Sequence, residues 1–210
     1  TGVIACAGAI TMNSGTNYIF NSNGTTLIAT AANGAANVSW GAGSTCEVKG
    51  ITSTTSFVAG NQSFQNFIWN CSGQTSGVNF TGTLSSVAGY LDIQNTNNQN
   101  LRLTGAAALT LNITGDLKVS GLNGISKLDI CNGAGAPTVN VNGNVSIGGN
   151  GFAATLLSAN ASTVKVKGNW TNGANGAFTP ANTTVEFNST TANQTITRTG
   201  GETFNTLVIN

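Results

Sequence analysis

Histidine is absent from this 210-residue chain, and charge nearly so: seven Lys and Arg face six Asp and Glu, a net charge of +1. Each absence removes a class of function. Without His, a nucleophilic triad lacks its usual base, and a mixed His/Cys zinc site is excluded. Seven scattered cations cannot form the basic footprint that nucleic acid requires, and no Lys/Arg cluster marks an anionic membrane surface. No apolar run reaches membrane-spanning length; Val3 to Ile10 is far too short, so membrane insertion is not expected. Good helix formers are scarce among the polar positions, where Gly, Asn, Thr and Ser stand instead.

What remains is a strand-forming composition. Residues of the hydrophobic class make up 40% of the chain, with Val, Ile, Thr and Phe common, so it should fold, and fold as strands. Low net charge also means little self-repulsion, which permits self-association. The even set of four cysteines, Cys6, Cys46, Cys71 and Cys131, matches no zinc spacing. In so Asn/Thr/Ser-rich a chain it points to an oxidising compartment, with these four as disulfide candidates in any of three full pairings and buried free thiols as the alternative.

A phrase of alternating apolar and polar residues, closed by Gly and a polar residue, recurs along the chain. It reads Val78-Asn79-Phe80-Thr81-Gly82, Leu111-Asn112-Ile113-Thr114-Gly115, Val139-Asn140-Val141-Asn142-Gly143 and Val164-Lys165-Val166-Lys167-Gly168. Looser copies begin at Cys46 and Val185, and a half-copy closes at Leu207-Val208-Ile209. The steps between starts are 32, 33, 28, 25, 21 and 22 residues. Each phrase is a half-buried strand followed by a corner at which Gly would supply unusual backbone angles. Stacked in one sheet, the phrases give two inward columns. One runs Cys46, Val78, Leu111, Val139, Val164, Val185, Leu207; the other runs Val48, Phe80, Ile113, Val141, Val166, Phe187, Ile209. The outward column Glu47, Asn79, Asn112, Asn140, Lys165, Glu186 would carry an Asn ladder and a Lys165–Glu186 ion pair. Leu117 with Val119, and Val145 with Ile147, imply a second wall. The expected architecture is a single domain, residues 1–210: an all-β, right-handed parallel β-solenoid of about seven rungs, with a β-sandwich as the alternative.

From Gly168 onward the phrases Gly168-Asn169-Trp170-Thr171-Asn172-Gly173, Ala177-Phe178-Thr179-Pro180, Thr184-Val185-Glu186-Phe187-Asn188, Gln194-Thr195-Ile196 and Gly200-Gly201-Glu202-Thr203-Phe204 follow one another, closing with Asn205 to Asn210. In this order they resemble the repeated unit of long secreted and surface-attached proteins of Bacteroidota-type bacteria. The resemblance spans about a fifth of the chain and implies an exported, adhesive or surface-layer β-solenoid. It brings no catalytic residues, and the four cysteines depart from it.

Constellations for chemistry are sparse. Leu91-Asp92-Ile93 and Leu128-Asp129-Ile130 would place two carboxylates on outward positions, read as solvated residues on different rungs rather than a glycosidase pair. Cleavage of an acidic polysaccharide by a solenoid lyase would need a Lys or Arg base with clustered acids or calcium, and Arg102, ten residues after Asp92, is the only hint of one. Gly148-Gly149-Asn150-Gly151 opens like a calcium-solenoid repeat but lacks its Asp, so it reads as a loop. No catalytic, cofactor or metal residues are assigned, and the chain is not read as an enzyme. Trp170, at a corner, is the candidate glycan contact. No capping segment is legible at either end, and the numbering is expected to start after processing or inside a longer chain. Val3, Ile4, Phe204, Leu207, Val208 and Ile209 are therefore the candidate self-association residues. The expected function is an extracellular structural protein at the cell surface: a fibre subunit or adhesin segment that stacks end to end into homo-oligomers or filaments. A polysaccharide-binding module is the first alternative, a polysaccharide-cleaving enzyme the second.

Overall fold

The computed structural model describes residues 10–24, 38–58 and 62–210. All 22 strands in it pair in parallel. A short pair, β1 (Ile10–Met12) with β3 (Val38–Trp40), stands at one end. Three longer sheets form the walls of a coil. The first wall stacks β2 (Asn17–Phe20), β4 (Thr45–Val48), β6 (Asn66–Asn70), β9 (Leu91–Asn95), β12 (Leu117–Val119), β15 (Val145–Ile147), β18 (Trp170–Asn172) and β21 (Ile196–Thr197). The second stacks β7 (Val78–Asn79), β10 (Leu101–Thr104), β13 (Ser126–Cys131), β16 (Ala154–Leu157) and β19 (Gly176–Thr179). The third stacks β5 (Ser63–Phe64), β8 (Ser86–Val87), β11 (Thr110–Ile113), β14 (Thr138–Val141), β17 (Ser162–Val166), β20 (Thr183–Phe187) and β22 (Thr206–Ile209). From β6 to β20 the chain visits the walls in the order first, second, third, and then climbs to the next turn. Parallel strands at every level and about seven turns define a β-solenoid.

Alternation explains why these segments line the walls. With period two, one face of each strand turns inward. On the third wall Phe64, Val87, Ile113, Val141, Val166, Phe187 and Ile209 stand in one column, with successive differences of 23, 26, 28, 25, 21 and 22 residues. Beside it run Leu111, Val139, Val164, Val185 and Leu207. Burial of each such side chain from Phe64 to Phe187, all 0–2% exposed, contributes about 1.5–3 kcal/mol. The expected columns are therefore right from Leu111 to Ile209 and wrong before it. Cys46 and Val48 belong to the first wall, between Tyr18 and Phe67 and between Phe20 and Trp69. Val78 belongs to the second wall, opposite Leu101. Asn79 accordingly faces Arg102 and not Asn112, and the Asn ladder shrinks to one rung, where Asn140 Nδ2 donates to Asn112 Oδ1 over 2.8 Å. Lys165 and Glu186 do pair, at 3.0 Å.

The corner between the third and first walls has a physical basis other than the one expected. Gly115, Gly143 and Gly168 sit directly above one another: Gly143 N donates to Gly115 O, and Gly168 N to Gly143 O, each over 2.9 Å. A Cβ on Gly143 would lie 2.6 Å from the Gly115 carbonyl carbon. None of the three has a positive φ. Close approach of backbone to backbone, not a left-handed conformation, requires glycine there. The next residue completes the corner. Asp116 Oδ1 accepts the Asn144 N–H, Asn144 Oδ1 accepts that of Asn169, and Asn169 Oδ1 accepts that of Thr195, over 2.8, 2.8 and 2.9 Å. Each turn thus satisfies a backbone donor of the next.

Candidate functional site

Two regions depart from the repetitive pattern: the last turn, and a set of buried ionisable side chains.

In the last turn no second-wall strand follows β19. Its place is taken by a loop in which Phe204 packs on Trp170 and Phe178, with ring centroids 5.6 and 5.9 Å apart. Glu202 turns inward beneath it. Its Oε2 accepts Trp170 Nε1–H over 3.0 Å and Asn172 Nδ2–H over 2.7 Å, while Arg198 Nη1 lies 3.4 Å from Oε1. Part of the core is thus roofed, which corrects the expectation of no cap. Trp170 is corrected too. It stands in the inward column between Val145 and Ile196, is 0% exposed, and cannot meet a glycan. Its indole N–H found a partner, as buried indoles do; Trp40 and Trp69 donate likewise to Gln62 and Gln74, over 2.8 and 3.0 Å. Phe204 belongs to this roof and not to the open edge. In the sequence the roof is marked only by the lone acid after Gly200-Gly201.

The third wall is left open. Leu207 and Ile209 occupy the inward columns over Val185 and Phe187, yet they are 42% and 67% exposed where Val185 and Phe187 are 0% and 2%. Val208 is half-buried beside Glu186. Among the described residues β22 pairs only with β20, so its other edge presents unpaired backbone groups together with core-type side chains. Val3 and Ile4 lie outside the described residues.

The acids are held individually. Asp92 on the first wall has Ile68 and Lys118 as register neighbours, whereas Arg102 on the second wall has Asn79 and Asp129, so the expected acid–base hint is not assembled. Neither aspartate is solvated: Asp92 is buried with Gln94 Nε2 at 2.9 Å, and Asp129 is buried with Arg102 Nε at 3.5 Å. Burial raises both carboxyls above the ordinary aspartate range. Glu47 moves the other way, because hydrogen bonds from Asn70 and Asn17 and the Lys49 charge together outweigh its burial. Among the described residues no group of three or more His, Cys, Asp or Glu is placed to hold a metal. The Gly148-Gly149 pair lies in a loop, as expected, with both φ values positive.

Cys46, Cys71 and Cys131 are free and buried, which corrects the disulfide expectation for these three; Cys6 lies outside the described residues. Burial, with some help from Glu47, pushes the Cys46 thiol up to about 12, and burial does the same for Cys71. Since the thiolate is the reactive form, native protein treated with iodoacetamide at pH 8 should leave Cys46 and Cys71 unmodified, and denaturant should release both. Peptide mass mapping reads this directly; prompt native alkylation of Cys71 would contradict the packing.

No family model, no curated protein and no solved structure matches the chain. The fold alone therefore sets its class, a β-solenoid repeat protein.

Proposed function

We propose that this chain is an extracellular structural protein, a fibre subunit or a segment of a large surface adhesin, that extends by adding a further turn to the β22 edge. The observation that carries this reading is the exposure of Leu207 and Ile209 in columns that are core everywhere below them. A further parallel strand would cover both and satisfy the free edge, whether it comes from following residues of a longer chain or from a second copy. Near-zero net charge lets such ends approach without repulsion. A head-to-tail contact of this kind continues into a filament when its rotation does not close.

The test is negative-stain microscopy with sedimentation of the 210-residue protein over a wide concentration range. End-to-end assemblies should form and should be lost on the double substitution Leu207→Asp/Ile209→Asp, which buries two unpaired charges in the contact. Monodisperse particles of the unsubstituted protein at every concentration would sink the self-stacking form of the proposal.

A further inference from the structure

A second surface, independent of the end contact, is a shallow polar groove of about 320 Å³ on the outer face of the third wall. It is lined by Asn112, Asn140, Asn142, Lys165, Lys167 and Asn188, with Val141 in its floor. The register explains the assembly. Asn112, Asn140 and Lys165 are outward partners on β11, β14 and β17. Asn142, Lys167 and Asn188 each follow the last strand residue of three rungs in register, Val141, Val166 and Phe187. The groove therefore crosses four rungs, a length of about 14 Å at the strand spacing.

Its chemistry is one-sided. The lining holds two of only seven cations in the chain and no carboxylate. Lys165 is engaged by Glu186 at 3.0 Å, but Lys167 forms no ion pair among the described residues. The amides supply both donors and acceptors: Asn140 Nδ2 is already used on Asn112 Oδ1, whereas the exposed Asn142 offers its amide to solvent. No aromatic ring lines the groove, so neither base stacking nor an apolar ligand is served. Amides on three of the four rungs, with lysines on the other, suit a ligand that repeats its hydroxyl groups along its length, and the unpaired Lys167 ammonium suits one that also carries carboxylates.

We propose that this groove binds an extended acidic polysaccharide, a polyuronate lying across β11 to β20, with Lys167 pairing a carboxylate and Asn142 and Asn188 holding hydroxyls. It places a glycan site where the buried Trp170 cannot provide one. Affinity electrophoresis through gels containing soluble polygalacturonate or neutral hydroxyethyl cellulose tests it, with far-UV circular dichroism confirming that every variant is folded. Polygalacturonate should retard the protein, less so as salt rises. Lys167→Gln should weaken binding about tenfold, the loss of one charge-assisted contact, while Lys167→Arg should keep most of it. Asn142→Ala should weaken binding several-fold. Equal retardation by the neutral polymer, no retardation by either, or unchanged binding in both Lys167→Gln and Asn142→Ala would overturn the assignment.

Discussion

Gly143→Ala should be among the most damaging single substitutions in this protein, although it adds one methyl group. That methyl would lie 2.6 Å from the carbonyl carbon and oxygen of Gly115 and 2.5 Å from Asp116 Oδ1. Two of these atoms are backbone, held by the Gly143 N to Gly115 O bond, so they cannot swing aside as a flexible side chain would. Relief requires the corner to open. That breaks the bond, loosens the Asp116 to Asn144 bond beside it and displaces Val141 and Val145 from their columns. The expected loss is about 3 kcal/mol or more, the upper range of overpacking in a well-packed site. Gly151→Ala is the matched control. A Cβ there meets nothing within 4 Å, and its φ is not positive. It should stay within about 0.5 kcal/mol of the unsubstituted protein. Urea denaturation of the two variants in parallel measures the difference; equal midpoints would show that the turns are not stacked as closely as described.

Glu202→Ala should be nearly as severe, for a different reason. The Glu202 side chain is 3% exposed and serves two donors, Trp170 Nε1 and Asn172 Nδ2, besides facing Arg198. Its removal leaves Trp170 Nε1 without a partner inside the core and takes from Asn172 its hydrogen bond to the roof. An unsatisfied buried donor costs about 1–3 kcal/mol, so a total near 3 kcal/mol is expected. Glu202→Gln keeps one carbonyl acceptor and should recover part of the loss. Thermal unfolding followed by tryptophan fluorescence reads both variants. An alanine variant as stable as the parent would mean that the loop does not roof the core in solution. Together with the open β22 edge, this result bears on assembly, since a loosened roof would also release Phe204 from Trp170 and Phe178.

How far the fold could be read in advance depends on which part of the repeat is considered. From Leu111 onward every phrase falls on the third wall, and the columns, the Lys165–Glu186 pair and the Leu117/Val145 wall all follow from spacing. Before Leu111 the phrases at Cys46 and Val78 look the same but stand on the first and second walls. A strand with one buried face has the same local pattern on any wall. The clue lay in the steps of 32 and 33 residues, too long for turns of 21 to 28 and matching a turn plus one further wall. The second wall as a whole is not legible in the sequence, because its strands share no common phrase. The burial of Asp92 and Asp129 is not legible either, since an outward position on a strand says nothing of the side chains that pack around it, Gln94 at Asp92 and Arg102 at Asp129.

The sequence by itself determined that this chain is all-β, coils in parallel turns, and carries alternating apolar columns at matched offsets. These are local properties, fixed by side-chain period and by glycine at the corners. Only the tertiary structure decided which wall each phrase joins, that Trp170 and Phe204 close part of the core under Glu202, and that Asn142, Lys167 and Asn188 line one groove. Those outcomes depend on contacts between residues a full turn or more apart, and a contact across turns leaves no mark in the order of neighbouring residues.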